Sequence, residues 1–307
     1  MPSVLVTGAG RGIGLAITEH MSQKGWEVYA TARSAEALES LGRLPRVHAI
    51  ALDITDRSAI AALPDLLPDE LNGVVNNAGI VVNGPVEGLS LDDLTRQLDV
   101  NVISQIAVTQ AVLPKIRASH GRVVFISSVS GLFTTPGTGA YNASKYAIES
   151  LADALRMELR PWNIAVSLVE PGPIRTDIWT TVLDEHDRMV EQLSDEHRRL
   201  YEPQLAGTRK LLGRMQKLAA DPSRVTKAVD HALTSRRPKR RYLLDFASRA
   251  QKTIVAVTPT AVKRALEGVL ATGLVRAPVC VVASRDKLET ANRELGDKAL
   301  TIADVTV

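Results

Sequence analysis

Cysteine is almost absent from this chain of 307 residues, because Cys280 is the only one. A disulfide within the chain is therefore excluded, and the composition suits a reducing compartment. Long apolar runs are also missing, since none approaches the ~18 residues that a membrane-spanning helix requires. No charged leader precedes the apolar segment at residues 4–6. We therefore expect a cytoplasmic protein without a signal peptide or a transmembrane segment.

Strong charge of one sign is absent as well, because the chain has 37 basic and 34 acidic residues and a net charge of only +3. The one dense basic run is RRPKRR at residues 236–241. It could bind phosphates, acidic lipids or nucleic acid, but no aromatic residue is interleaved with it to stack on bases. A solvated loop leading into a last strand at 242–244 is the favoured interpretation, and we expect no nucleic-acid partner.

Apolar residues make up 45% of the chain, which is enough for a full core. Short apolar segments rich in β-branched residues alternate with segments of helical periodicity, including a long helical stretch at 91–116. The predicted strands are residues 4–7, 26–32, 47–52, 123–128 and 164–169, together with 74–79, which runs into a polar turn that ends in glycine. This alternation predicts an α/β fold with a doubly wound parallel sheet.

A glycine-rich loop, GAGRGIG at residues 8–14, lies between the first predicted strand and the first predicted helix. Glycines allow a tight turn and a close approach to a pyrophosphate, and a helix N-terminus offers free N–H groups to it. The second strand ends at Ala32 and Arg33, where an NAD-binding unit usually carries an acid. With Arg11 in the loop as a second cation, the sequence favours binding of a 2′-phosphate over two solvated arginines.

Tyr141 and Lys145 are four residues apart in a segment whose apolar positions follow the helical period. On a helix they share one face. A nearby ammonium lowers a phenol pKa, so this Tyr could exchange a proton with a carbonyl or an alcohol oxygen near neutral pH. The pair alone is equally consistent with an ordinary surface helix.

Together these motifs resemble the short-chain dehydrogenase/reductase family, in which the Rossmann fold is expected. The motifs that carry the resemblance are residues 7–14 (TGAGRGIG), Asn77-Ala78-Gly79, Asn101, Ser128, Tyr141 with Lys145, and Pro171-Gly172. They have the order and spacing of that family over roughly residues 3–180, and more loosely to about 270. The chain is most similar to NADP-dependent reductases of hydrophobic carbonyls, such as hydroxysteroid and retinol dehydrogenases.

The resemblance implies four catalytic residues. Tyr141 would be the general acid/base, and Lys145 would lower its pKa and hold the nicotinamide ribose. Ser128 would hydrogen-bond the substrate oxygen, and Asn101 would hold a water behind Lys145. The implied cofactor-binding residues are Gly8, Arg11, Gly12, Ile13, Gly14, Arg33, Asp53, Ile54, Asn77, Ala78, Gly79, Tyr141, Lys145, Pro171, Gly172, Ile174 and Thr176.

The remaining chain is interpreted as additions to this unit. Residues 1–276 would form one oxidoreductase domain, in which 177–220 is a helical substrate lid with its charged face outward. Ile178, Trp179, Val182, Leu183, Met189, Val190 and Leu193 could line an apolar pocket. The repeated DEH at 184–186 and 195–197 suggests a solvated face rather than a metal site. Residues 277–307 resemble a strand–helix–strand fragment without a glycine loop.

The expected function is NADP(H)-dependent interconversion of a carbonyl and an alcohol on an apolar small molecule. Two alternatives are an NAD(P)⁺-dependent oxidation of a hydroxy-lipid or sterol, and a non-enzymatic nucleotide-sensing regulator. The intact set of Asn101, Ser128, Tyr141 and Lys145 argues against the regulator, because a sensor needs no acid/base pair. We expect a homo-oligomer and no metal.

Overall fold

The computed structural model describes residues 1–176 and 178–244, so the extension at 277–307 lies outside the described residues. The strands are β1 Ser3–Val6, β2 Glu27–Ala32, β3 Val47–Ala51, β4 Gly73–Asn76, β5 Arg122–Ile126, β6 Ala165–Glu170 and β7 Arg241–Leu243. They form one sheet in the order β3-β2-β1-β4-β5-β6-β7, and all neighbours are parallel. The α/β doubly wound fold is therefore confirmed.

The described helices are α1 Gly12–Gln23, α2 Ala35–Gly42, α3 Arg57–Ala62, α4 Leu91–Leu98, α5 Ser104–Ala118, α6 Gly139–Glu158, α7 Ile178–Gln192, α8 Asp195–Lys217 and α9 Ser223–Thr234. Single 3₁₀ turns span Leu63–Leu66, Val86–Gly88, Val129–Gly131 and Arg160–Trp162. The chain is helical from α4 through α5, as predicted, but Asp99–Ile103 between them is a π-helix. The apolar periodicity did not indicate this widened turn.

Two apolar layers cover the two faces of the sheet. Successive strand residues point to opposite faces, so Val4 and Val6 enter one layer and Leu5 the other. The first layer contains residues of α1 and α9, such as Ile17 and Val229. The second contains residues of α5 and α6. Burial on both faces explains why the strands read as continuous apolar runs, which is typical of parallel sheets.

Side-chain caps determine where several helices begin. The Asp56 carboxylate accepts hydrogen bonds from two backbone N–H groups at the start of α3. Ser34, Ser90 and Ser194 accept one each at α2, α4 and α8. Such a cap stabilises a helix by about 1 kcal/mol, because it pairs an N–H that the helix itself leaves without a partner.

Among the helices of the described residues, none has the length and apolar character that would let it cross a membrane.

Phe125 is the largest fully buried side chain of the described core and lies on β5, at the centre of the second apolar layer. We expect Phe125→Ala to lower the free energy of unfolding by about 3–5 kcal/mol, because it removes apolar contacts and leaves a cavity. The control is Leu218→Ala, since Leu218 is 80% exposed. Urea denaturation measures both variants. Equal denaturation midpoints for Phe125→Ala and the wild type would contradict this description of the core.

Candidate active site

The glycine loop and the turn after β4 pack directly on each other. Gly8 has φ +65°, and a Cβ added there would lie 2.8 Å from the Ala78 Cα atom. A Cβ added at Gly14 would lie 2.2 Å from the Gly8 carbonyl oxygen and 2.5 Å from Asn77 Nδ2. Asn77 Nδ2 donates to the carbonyl oxygens of Thr7, at 2.9 Å, and Gly8, at 3.1 Å. These glycines are required because backbone and side chain approach too closely for any other residue.

The segment after β6, at residues 171–176, also packs against the glycine loop. The methyl-bearing Cβ of Thr176 is 3.5 Å from the position that a Cβ would take at Gly12. The Ile174 side chain is buried in the first apolar layer, and the N–H of Arg175 donates to the Ala220 carbonyl at 2.8 Å. The Pro171 carbonyl accepts from the N–H of Val129 at 3.1 Å, which joins this segment to the turn after β5. Three predicted cofactor segments therefore meet at one edge of the sheet.

The two predicted phosphate-binding arginines are both exposed. Arg11 is the N-cap residue of α1, and Arg33 follows β2. Arg33 Nη1 lies 3.8 Å from Asp53 Oδ2, with 74% of the Arg33 side chain exposed. The backbone N–H of Thr55 donates to the Asp53 carboxylate and is the main cause that lowers its pKa. Because an exposed ion pair of this kind stabilises little, Arg33 can exchange it for another anion.

Two other predicted cofactor residues contribute apolar side chains to the core. Ile54 is 7% exposed and belongs to the second apolar layer. Ile13 is partly buried and packs on the first layer. Their side chains therefore pack beneath the loops of the candidate site, although Ile13 belongs to the first turn of α1.

Tyr141 and Lys145 lie one turn apart near the start of α6, as predicted. The Lys145 side chain is buried, its Nζ is 5.6 Å from the centroid of the Tyr141 ring, and it donates to the carbonyl oxygen of Ile126 at 2.9 Å. Burial lowers the pKa of the Lys145 ammonium to about 8, while the nearby Glu149 carboxylate opposes this decrease. The ammonium therefore begins to lose its proton slightly above neutral pH.

Ser128 follows β5 and hydrogen-bonds with the Tyr141 side chain. Its hydroxyl also accepts from the N–H of Ser130 at 3.1 Å. Desolvation raises the pKa of the Tyr141 phenol, and the hydrogen bond with Ser128 lowers it by less. The expectation that Lys145 lowers this pKa is wrong for this structure, where the pKa is raised. The main physical reason is that burial disfavours the phenolate, while the Lys145 ammonium donates to the Ile126 carbonyl.

Asn101 lies in the π-helix and is buried. Its side-chain amide pairs with both backbone groups of Ile80, accepting from the N–H at 2.8 Å and donating to the carbonyl at 2.9 Å. It also donates to Ser144 Oγ at 3.2 Å, and Ser144 donates to the Tyr141 carbonyl at 2.7 Å. Asn101 thus connects the turn after β4 to the helix of Tyr141, and its role in holding a water stays a prediction.

Gln97 is a member of this network that sequence reasoning missed. It is fully buried, and its Oε1 accepts from the N–H of Val82 at 2.6 Å. Its Nε2 donates to the Ile80 carbonyl at 3.1 Å and to Ser144 Oγ at 3.3 Å. Gln97 and Asn101 are four residues apart, which could have indicated a shared face, but the π-helix that contains Asn101 was not readable from the sequence.

The predicted lid consists of α7 and α8, which are joined by an ion pair. Arg209 donates to both oxygens of Asp187, at 2.9 and 3.0 Å, and its hydrogen bond is the main cause that lowers the pKa of Asp187 to about 2. A cavity of about 90 Å³ separates α7 from the start of α4, and Met189 and Leu193 line it. The side chains of Ile178 and Trp179 lie outside the described residues.

Among the described residues, including the repeated DEH segments, no three potential metal ligands cluster. His186 is only 2% exposed, so the expectation of a wholly solvated face is wrong at this residue. Its Nδ1 lies 3.2 Å from Asp187 Oδ1. Burial of His186 between Val182 and Met189 follows from the helical period, because these positions share the inner face of α7.

The basic run has two environments. Residues 236–240 form the exposed or partly exposed loop that was predicted, and the last strand begins one residue earlier than expected, at Arg241. The Arg241 side chain turns inward, and its Nε donates to Glu149 Oε2 at 2.9 Å. The Arg241 side chain is 28% exposed, so it is more buried than a residue of a fully solvated loop.

Comparisons with known proteins were made once this geometry was known. A family model described as short chain dehydrogenase matches residues 2–187. A 3-amino-tetrahydro-pyrrolizinone reductase from Xenorhabdus hominickii is 38% identical over 205 residues, which are 65% of this chain and 71% of that protein. Retinol dehydrogenase 16 from Rattus norvegicus is 35% identical over 252 residues, which are 78% of this chain and 79% of that protein.

Solved structures agree with the fold. A short-chain dehydrogenase from Streptomyces avermitilis has a TM-score of 0.70 at 29% identity, with 87% of this chain and 95% of that chain covered. The Pseudomonas aeruginosa RhlG/NADP active-site complex has a TM-score of 0.55 at 29% identity, with 62% of this chain and 79% of that chain covered. A Burkholderia phymatum protein in complex with NAD has a TM-score of 0.71 at 22% identity, covering 92% and 98% of the chains. Structures similar in fold thus contain NADP in one case and NAD in another.

Asn101→Ala tests the link between the turn after β4 and the helix of Tyr141. We expect the free energy of unfolding to fall by about 1–3 kcal/mol, because the N–H and the carbonyl of Ile80 lose their partner in a buried region. The control is Gln110→Ala, since Gln110 is exposed on α5. Urea denaturation measures both. If the two variants were equally stable, Asn101 would not hold this turn.

Proposed function

This chain belongs to the short-chain dehydrogenase family, an oxidoreductase family acting on CH–OH groups, and we propose that it is an NADP(H)-dependent enzyme. The proposed reaction interconverts a carbonyl and an alcohol on an apolar small molecule. The observation that carries the proposal is the placement of Tyr141, Lys145 and Ser128 together at the carboxyl edge of β5. In open parallel sheets this edge is where ligands bind.

The residues around the glycine loop fit a dinucleotide. Gly8, Gly12 and Gly14 present backbone without side chains at and before the start of α1, and Gly8 and Gly14 are closely approached by neighbouring atoms. The N-terminus of that helix presents free N–H groups and the positive end of its dipole to a pyrophosphate. Gly172, Ile174 and Thr176 would hold the nicotinamide end, and Asn77, Ala78 and Gly79 the adenosine ribose. When bound, the cofactor supplies the hydride.

Residues of the chain itself would transfer the proton and hydrogen-bond the substrate oxygen. Ser128 would donate a hydrogen bond to that oxygen and stabilise the charge that develops on it. Tyr141 would transfer a proton at its hydroxyl oxygen, in contact with Ser128. Its raised pKa means that the phenol is protonated at neutral pH, which is the form needed to donate a proton during reduction.

Lys145 would need to leave the Ile126 carbonyl, or share it, to contact the cofactor ribose and the phenol. Its pKa of about 8 keeps the ammonium charged in most molecules at neutral pH. The positive charge would then stabilise a phenolate in the reverse, oxidative direction. Asn101 would support this arrangement through Ser144, which is hydrogen-bonded to the Tyr141 backbone.

Preference for NADP(H) is proposed from the end of β2. Ala32 occupies the position of the usual acid and is 6% exposed, so no carboxylate there repels a 2′-phosphate. Arg33 is bound only loosely to Asp53. Charge-assisted hydrogen bonds from guanidinium groups suit a phosphate. A homo-oligomeric state and a cytoplasmic location stay predictions.

Tyr141→Phe removes the transferable proton and keeps the ring. We expect kcat to fall by about a hundredfold or more, with NADPH binding nearly unchanged. Tyr146→Phe, an exposed position on the same helix, is the matched control and should retain activity. Steady-state kinetics with a panel of ketones and aldehydes, followed by NADPH absorbance, measures both. Retention of most of kcat in Tyr141→Phe would show that another group moves the proton.

Cofactor choice is tested by Ala32→Asp combined with Arg33→Ala. We expect the wild type to favour NADPH over NADH by about 2–3 kcal/mol, or about 30- to 150-fold in kcat/KM. The double variant should reverse this preference, because it adds repulsion and removes attraction. The wild-type preference should shrink as salt rises.

The control for this experiment is Arg43→Ala, which removes an exposed cation at the end of α2 and should leave the preference unchanged. A wild type that prefers NADH, or a preference that the double variant does not alter, would show that these positions do not recognise the phosphate.

A further inference from the structure

Arg241 lies at the centre of an ion-pair cluster that the sequence did not reveal. Its Nε donates to Glu149 Oε2 at 2.9 Å and lies 3.1 Å from Glu170 Oε1. Its Nη2 donates to Asp153 Oδ2 at 2.6 Å. Glu149 and Asp153 are one turn apart on α6, and Glu170 is the last residue of β6. The guanidinium of β7 thus joins three elements of the fold.

Two of these carboxylates are buried. Glu170 is 0% exposed and Glu149 is 7% exposed. A buried carboxylate is costly unless a cation and hydrogen bonds compensate for the lost water. Arg241 supplies that compensation to both of them at once, with a planar group that can contact several oxygens.

The cluster borders the proposed catalytic residues on three sides. Glu149 follows Lys145 by one helical turn and acts electrostatically on its ammonium. Glu170 directly precedes Pro171 and Gly172 in the chain. The turn after Ser128 packs on the same region, because a Cβ added at Gly131 would lie 3.0 Å from Glu149 Cγ and 3.1 Å from the Lys145 carbonyl oxygen.

We propose that Arg241 is a positioning residue for Lys145, acting through Glu149 and Glu170, a role that rests on the proposed function of Lys145. It prevents the Glu149 carboxylate from binding the ammonium directly. It also sets the net negative charge next to that ammonium. The ammonium is then left available to the phenol and the cofactor ribose.

The charges of the cluster make this proposal quantitative. Arg156 forms a second ion pair with Asp153, so the cluster contains three carboxyl groups and two guanidinium groups. Tyr141 also lies close to the Lys145 ammonium, and burial raises the pKa of its phenol. Substitutions at Arg241 and at Glu149 therefore change the charge of the cluster by one unit in opposite directions.

Three variants give an ordered series. Arg241→Leu makes the cluster one unit more negative than in the wild type, Glu149→Gln makes it one unit less negative, and the double variant restores the wild-type charge. Added negative charge favours the ammonium, so the Lys145 titration midpoint should rise by about half to one pH unit in Arg241→Leu. It should fall by a similar amount in Glu149→Gln and return near the wild-type value in the double variant.

The measurement is a pH titration of lysine Cε signals by NMR in the full-length protein with ¹³C-labelled lysine. The signal of Lys145 is identified by its loss in Lys145→Met. Arg240→Gln is the matched control, since Arg240 is the exposed neighbour in the same basic run and its loss should leave the midpoint unchanged. Arg241→Lys keeps the charge and should restore the midpoint at least in part.

A merely structural Arg241 would change stability without producing this order of midpoints. If Arg241→Leu does not fold, Glu149→Gln still tests the proposal, because it keeps the side-chain volume. Equal midpoints in Glu149→Gln and the wild type, or a double variant displaced as far as Arg241→Leu, would overturn it. The titration needs neither cofactor nor turnover, so a wild type that binds no NADPH would refute the proposed function separately.

Discussion

The hydrogen bond from the Lys145 ammonium to the Ile126 carbonyl joins the helix of the candidate site to the centre of the sheet. A buried ammonium is unfavourable, since desolvation disfavours the charged form, and this is visible in the lowered pKa of Lys145. The surrounding structure offsets that cost with a carbonyl oxygen on one side and the carboxylate of Glu149 on the other. The carboxylate in turn requires Arg241. A hydrogen bond and an ion pair therefore link β5, through Lys145 and Glu149 of α6, to Arg241 in β7, the last described strand.

The second constraint is the close contact between the loops at the carboxyl edge of the sheet. Gly8, Gly14 and Asn77 leave no space for an additional atom, and Thr176 approaches Gly12 from the other side. Because these loops follow β1, β4 and β6, residues far apart in the chain surround the start of α1. The fold places backbone there in place of side chains, which is the condition for a large anionic ligand to approach closely.

The third constraint is a buried polar network between the turn after β4 and α6. Gln97 and Asn101 pair with the backbone of the turn after β4, and Ser144 connects them to the carbonyl of Tyr141. A buried network of this kind rigidifies a structure when its members are paired, because each lost bond leaves a costly polar group. Through this network, the π-helix at Asp99–Ile103, which departs locally from regular helix geometry, helps to position Tyr141.

Much of this protein was determined by its sequence alone. The strand pattern and the glycine loop predicted the fold, because local periodicity and turn chemistry are properties of short segments. The spacing of four residues predicted which side chains form the candidate site, namely Asn101, Ser128, Tyr141 and Lys145. Only the tertiary structure decided the direction of the Tyr141 pKa, the burial of His186, the place of Gln97 and the inward turn of Arg241. Burial and charge partners arise between segments that are distant in sequence. For that reason a basic run that resembles a solvated loop contains a residue whose guanidinium pairs with buried carboxylates.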